Sequence, residues 1–253
     1  MTTKLDILAI AAHRDDVEQT CGGTLLKAAQ RGQKTGILDL TRGEMGTRGT
    51  ADDREREAND AAKILGAEWR HALDIPDGRV ENTWENRLKV ASVIRETRPR
   101  VVILPYWKGR HPDHYTASIL GYEACFQAGL AKLDLRPQTS DLGQPSRELA
   151  SLAPHRPFKI IYATLYYDIR PSFVVDISDQ FEGKFASILA YKSQFSDQEA
   201  GKDLFPAHQE IRARVDAMAR FYGILGGVTY GEPFLQKEVG LVDDLLAIPV
   251  KSI

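Results

Sequence analysis

A chain of 253 residues can bury a full hydrophobic core, and 43% hydrophobic with 27% charged residues is the composition of a globular protein, neither disordered nor disulfide-dense. The net charge of −2 lacks the basic field of a dedicated nucleic-acid binder. Two cysteines, Cys21 and Cys125, each in a stretch of helical pattern, point away from a disulfide framework and toward a reducing, cytoplasmic setting. The first apolar run is interrupted by Asp6 and leads into His13-Arg14-Asp15-Asp16, which fits neither a signal peptide nor a membrane span.

Taken in chain order, short apolar runs alternate with longer stretches of helical period, the pattern of a parallel sheet flanked by helices. Strands are expected at 5–12, 34–40, 68–73 and 100–105, and helices near 20–31, 52–66, 83–97 and 114–130. The second helix carries Ala58, Ala61, Ala62 and Leu65 at helical spacing and meets a terminator in Gly66. Residues 131–157 are rich in proline and polar groups and read as a long surface loop. Two strands follow at 159–166 and 172–177, then a helix starting near Ser178-Asp179 and another over 208–225. The tail beyond Gly226 reads as loop with an edge strand. No repeat of 20–50 residues recurs, so the expectation is one α/β domain over 1–253, a Rossmann-like sandwich with a mostly parallel sheet.

Half of the six histidines fall in two clusters that each follow a strand: Ala12-His13-Arg14-Asp15-Asp16 and Arg110-His111-Pro112-Asp113-His114. In an open α/β sheet the loops after neighbouring strands meet at the carboxyl edge, so strands 5–12 and 100–105, if adjacent, bring these clusters together. His13, Asp16 and His114 would then present two imidazoles and a carboxylate to a metal ion, with Asp15 a free carboxylate beside an open position. Zinc in such a site lowers the pKa of a bound water from ~15.7 to about 7. Iron(II) or another divalent ion suits the same donors. Asp15-Asp16 also have a plainer reading as helix caps, and Asp113 after Pro112 another.

The first cluster, continued by Val17-Glu18 and Cys21-Gly22-Gly23-Thr24-Leu25, resembles the His-Pro-Asp-Asp motif of the LmbE-like, or PIG-L-like, zinc-dependent N-acetylglucosamine deacetylases. Thr41 to Thr50 with Arg54 and Glu57 is similar to that family's glycine-rich loop and following helix. Leu73-Asp74-Ile75-Pro76-Asp77-Gly78 and the second histidine cluster complete the order over residues 5–130. Weaker likenesses lie at Tyr191 to Phe195 and Gly227 to Phe234. Within the family the chain looks nearest to bacillithiol-biosynthesis deacetylases, which act on N-acetylglucosaminyl malate.

The resemblance implies that His13, Asp16 and His114 bind zinc and that Asp15 is the general base. His111, protonated or donating through one ring nitrogen, would polarise the acetyl carbonyl, with Asp113 orienting it. Arg54 is the first choice for a substrate contact, with Arg48, Arg110 and Glu44 as weaker ones, though Glu44 also suits a role in organising its loop. Arg14 departs from the family's usual proline: it adds a backbone donor and a positive charge near the metal, and is expected to alter turn rigidity or reach toward substrate. Tyr191 is either a lip residue or packed on its helix. Arg56, Lys63, His71, His155 and His208 are assigned to structure or surface. Homo-oligomers, trimers or hexamers, are common among such proteins.

A nucleotide-binding Rossmann enzyme is disfavoured because neither G-x-G-x-x-G nor a P-loop occurs, and a serine hydrolase because no G-x-S-x-G occurs. Two alternatives stay open. One is an amidase or deacetylase of another amino-sugar or thiol conjugate; the other is a metal-stabilised sugar-binding protein without turnover.

Overall fold

The computed structural model describes residues 4–135, 152–196, 208–248 and 250. Five parallel strands, β1 (Ile7–Ala11), β2 (Thr35–Asp39), β3 (Trp69–Ala72), β4 (Val101–Pro105) and β5 (Lys159–Ala163), are extended by β6 (Phe173–Asp176) and β7 (Gly231–Leu235). The sheet order is β3-β2-β1-β4-β5-β7-β6, with β7 antiparallel to both neighbours. The helices are α1 (Asp16–Gln30), α2 (Ala51–Leu65), α3 (Trp84–Thr97), α4 (Pro112–Ala128), α5 (Phe181–Leu189), α6 (Lys192–Phe195) and α7 (His208–Gly226).

The central strands read as continuous apolar runs because both sheet faces are covered. Leu8 and Ile10 of β1 face α3 and α4, where they meet Val90, Val93, Ile94 and Leu120. Ala9 and Ala11 face the other way, toward Val17 and Leu25 of α1. The chain reverses its winding at β1, which pairs with β2 on one side and β4 on the other, Ile7 lying opposite both Thr35 and Val101. The expected adjacency of the two histidine-bearing strands is therefore present.

Local sequence explains most helix ends. Thr50 and Asp53 form a reciprocal capping box at the start of α2, and Gly66 closes it at φ 66°. The first helix differs from expectation: it begins at Asp16, not near residue 20, and is broken at Cys21 (φ −140°, ψ 17°). Its short first segment was hidden because one turn of helix has too little periodicity to register. The second segment is capped from a distance, by Glu232 of β7, which accepts from Gly23 N–H at 2.9 Å, Thr24 N–H at 2.7 Å and the Thr24 hydroxyl at 2.6 Å. Gly23 is required there, since a Cβ would lie 2.9 Å from the Ile177 side chain. Lys184 of α5 completes the arrangement, donating to Glu232 at 2.5 Å and to the Gln19 carbonyl at 2.8 Å.

The tail strand also corrects the sequence reading. β7 is interior, and β6 is the edge. Pro233 suggests an edge because it has no N–H for a ladder. It is accommodated because pairing with β5 is confined to Leu235 and Phe234, leaving Pro233 opposite Val174 of β6 alone. Of the long loop expected at 131–157, residues 136–151 lie outside the described residues. Its described flanks are anchored by Arg95, which donates to the carbonyls of Ala128, Leu130 and Leu152.

The pair formed by Lys184 and Glu232 is buried, so removing one partner strands the other charge. Glu232→Ala is expected to lower the unfolding free energy by about 3–5 kcal/mol, measured by urea denaturation; a loss below about 1 kcal/mol would show that the pair behaves as a solvated one.

Candidate metal and catalytic site

β1 delivers the first cluster through a tight turn. His13 N–H donates to Asp16 Oδ2 at 3.0 Å, and Asp15 sits at φ 102°, a left-handed conformation rare for a residue with a Cβ. Such backbone costs about 1–3 kcal/mol and persists only where its surroundings fix it. Arg54 of α2 does the fixing: its guanidinium donates to the Arg14 carbonyl and lies 3.3 Å from Asp15 Oδ1. Gly43 makes room for Arg54; it adopts φ 71°, and a Cβ there would stand 2.9 Å from the guanidinium carbon. Arg54 is the residue expected from sequence to contact substrate, and here it has a structural role. It is buried and braces the turn carrying Asp15.

Three donor groups converge beyond this turn. His13 Nδ1 lies 3.2 Å from His114 Nε2 and 3.4 Å from Asp16 Oδ2, and His114 Nε2 lies 3.3 Å from Asp16 Oδ1. Tetrahedral zinc with bonds near 2.0–2.1 Å has ligand-to-ligand edges of about 3.3 Å, so the spacing fits such an ion. The chemistry of the donor set agrees. His13 Nε2 faces Asp77 Oδ1 at 3.1 Å and Asp113 Oδ2 at 3.3 Å, which holds a proton at Nε2 and leaves Nδ1 as the nitrogen facing the other donors.

His13 also groups with His111 and His114, and with Asp77 and Asp113, at distances compatible with a metal ion. The second grouping is better read as support. Asp77 accepts from Met45 N–H at 3.0 Å, while Asp113 accepts from Gly78 N–H at 2.8 Å and Val80 N–H at 3.2 Å. These carboxylates are oriented by backbone amides to hold the imidazole. Asp113 consequently does not orient His111 with its side chain, as expected from sequence; the Gly78 and Val80 amides draw it to His13 instead. Its contribution to His111 is through the main chain, Asp113 N–H donating to His111 Nδ1 at 3.2 Å. That bond caps α4 and fixes the His111 tautomer, leaving Nε2–H as the outward donor.

Charges follow from this geometry. Burial opposes protonation of His13, but Asp113, Asp16 and Asp77 outweigh it and push its pKa up to about 12. Burial likewise opposes charge on Asp16, yet His114 and His13 hold it well below the usual carboxylate range. Burial raises Asp15 to about 7 against the pull of Arg54, with Asp16 adding to the rise. Burial together with the neighbouring His13 and His114 charges lowers His111.

The remaining predicted residues separate. Glu44 organises its loop, accepting from Asp77 N–H at 2.8 Å. Arg48 is buried and donates to the Gln194 and Ser196 carbonyls, each at 3.2 Å, which ties the glycine-rich loop to α6. Arg14 is buried too, donating to the Ala51 carbonyl at 2.9 Å with Glu55 at 3.6 Å. Its side chain is committed to the start of α2 rather than to substrate. Arg110 alone of these arginines is exposed. Tyr191 is fully buried and donates to Glu18 at 3.1 Å, so it is no lip residue. Sequence reading gave Asp77 no role, although Pro76-Asp77-Gly78 was visible as a motif, and it overlooked Tyr166, whose hydroxyl donates to Gln19 at 2.8 Å.

The pattern of the GlcNAc-PI de-N-acetylase (PIG-L) family matches residues 8–125. Diacetylchitobiose deacetylase of Thermococcus kodakarensis is 34% identical over 237 residues, spanning 89% of this chain and 80% of that protein. The chain belongs to the PIG-L, or LmbE-like, deacetylase family. A conserved protein of Thermus thermophilus superposes on this PIG-L fold with a TM-score of 0.79 and 40% identity, over 94% of this chain and 98% of the other. N,N'-diacetylchitobiose deacetylase of Pyrococcus horikoshii, solved with an inhibitor, gives 0.74 and 27%, over 90% and 82%. As a PIG-L member the chain is an enzyme of the deacetylase class.

If Asp77 holds His13 in the ligating tautomer, Asp77→Asn is expected to weaken zinc affinity about 10–100-fold, the usual effect of losing such a partner. Competition titration against a chromogenic chelator measures it; unchanged affinity would remove Asp77 from the site.

Proposed function

We propose that this PIG-L enzyme removes the N-acetyl group from an N-acetylglucosamine conjugate, with a divalent ion held by His13, Asp16 and His114. The observation that carries the reading is the single constellation of a donor triangle, an unligated buried carboxylate and a hydrogen-bond donor on one edge of the sheet. When bound, the metal supplies Lewis-acid polarisation of the amide and a water acidic enough to give up its proton near neutrality. Zinc is the first choice, and iron(II) suits the donors as well.

Asp15 holds and moves the proton. One carboxylate oxygen is engaged by Arg54, and the other takes the proton from the attacking water and returns it to the departing amine. His111 Nε2–H donates to the oxygen that develops charge as the carbonyl becomes tetrahedral, and the Asp113 amide keeps this tautomer in place. Asp77 and Asp113 prevent His13 from turning away.

A sugar is supported by the rim. Tyr106, Trp107 and Tyr167 form a connected aromatic group, with centroids 4.5 and 5.6 Å from Tyr106, beside the end of β4. Aromatic faces suit a neutral second sugar, the kind of substrate named for the Thermococcus relative. N-acetylglucosaminyl malate is the second reading, favoured by exposed Arg110 and Lys108, which are available for a carboxylate. The outward face of α4 exposes Tyr115, Ile119, Tyr122 and Phe126 along one stripe, which supports a homo-oligomer. No helix among the described residues is long and apolar enough to cross a membrane, and Cys21 and Cys125 are buried thiols, which supports a reducing cytoplasmic setting.

The test is acetate release from diacetylchitobiose, N-acetylglucosaminyl malate and simple N-acetylglucosaminides, with metal content measured on the same preparation. Asp15→Asn is expected to retain metal and lose at least about 10²-fold in kcat, and His111→Ala about 10²–10³-fold. Inactivity of metal-loaded wild type on every conjugate would overturn the deacetylase reading and leave sugar binding without turnover.

A further inference from the structure

Between the ends of β1 and β4, beneath the first turns of α1, lies a cavity of about 20 Å³ that includes Asp16 and His114 in its wall. The rest of its lining is largely apolar, contributed by Ala9, Ala11, Val17, Ile103 and Ala163. A cavity of this size accommodates one water-sized or methyl-sized group. An N-acyl sugar presented to the donor triangle must direct its sugar to the open rim. Its acyl chain is the apolar part that remains, and this recess adjoins the triangle.

A second cavity of about 60 Å³ lies under α7, lined by Val215, Met218, Ala219 and Tyr222 together with the pair of Lys184 and Glu232. Two residues, Thr20 and Leu165, line both cavities. Thr20 is fixed, its hydroxyl donating to the Asp16 carbonyl at 2.8 Å. Leu165 is an apolar side chain on a braced turn: Thr164 Oγ1 donates to the Tyr167 carbonyl at 3.2 Å, and Tyr166, at φ 52°, is tied to Gln19 by its hydroxyl. The partition between the cavities is thus Thr20 and Leu165, and the leucine is its apolar part, on a segment pinned at both sides.

We propose that Leu165 sets the acyl-chain length of the amide this enzyme hydrolyses, closing a methyl-sized recess beside Asp16 and His114 off from the larger cavity under α7. This rests on the deacetylase reading. A propionyl or butyryl group meets the Leu165 wall, whereas truncation of that wall joins the two spaces and admits the longer chain. The role is one of specificity, and it makes no demand on the proton-transfer groups.

The experiment compares amine release from N-acetyl-, N-propionyl- and N-butyrylglucosamine by wild type, Leu165→Ala and Leu165→Met, with zinc loaded and melting temperatures recorded. Wild type is expected to lose about 10–200-fold in kcat/KM for each added methylene. Leu165→Ala is expected to raise the butyryl-to-acetyl ratio by at least about tenfold, while Leu165→Met, of similar volume, stays near the wild-type ratio. Calorimetric binding of acetate, propionate and butyrate should follow the same order independently of turnover. A flat acyl series in wild type, or an unchanged ratio in folded Leu165→Ala, would overturn the proposal while acetyl hydrolysis left the deacetylase reading intact. Absence of amine from every sugar would instead strike the deacetylase reading, and the carboxylate series would then decide the recess by itself.

Discussion

His13 is gripped at both ring nitrogens, and the surroundings of the site are arranged around that grip. On one side Asp77 and Asp113 face Nε2, themselves aligned by the amides of Met45, Gly78 and Val80. On the other, Nδ1 converges with His114 and Asp16. The imidazole therefore cannot rotate to satisfy one set without abandoning the other. Each supporting carboxylate comes from a different connection of the sheet, so the grip exists only when β1, β3 and β4 lie in register.

The same dependence explains the strained turn. Asp15 at φ 102° would relax if left alone, but Arg54 holds both the preceding carbonyl and the Asp15 carboxylate. Arg54 in turn is seated against Gly43, so the glycine-rich loop serves the turn through an arginine. Arg14 adds a further tie to the same helix by way of the Ala51 carbonyl. Where a proline would restrict the turn through its ring, this chain restrains it with a buried side chain. The positive charge near this turn is thereby bound to α2.

The fold and the meeting of the two histidine clusters were largely legible in the sequence because both rest on local signals: apolar runs buried on two faces, and His and Asp clustered directly after strands. What was not legible depends on direction and distance. Arg14, Arg48 and Arg54 have the same appearance in a sequence whether they point at a ligand or at a carbonyl, and all three point at carbonyls. Glu232 caps the second half of α1 from the last strand, and no local pattern announces a cap 208 residues away. The tail strand was expected at an edge, but it lies inside the sheet, and its short overlap with β5 leaves Pro233 free of a ladder bond on that side. Asp77 was in view as part of a motif, yet its role appears only once His13 stands beside it.

The central claim is that one face of His13 ligates while the other is held by carboxylates. Anomalous diffraction at the zinc edge on zinc-loaded crystals tests it most directly. The account predicts a single peak within the triangle of His13 Nδ1, Asp16 and His114 Nε2, with Asp15 outside the coordination shell. A peak between His13 Nε2, Asp77 and Asp113 would contradict it.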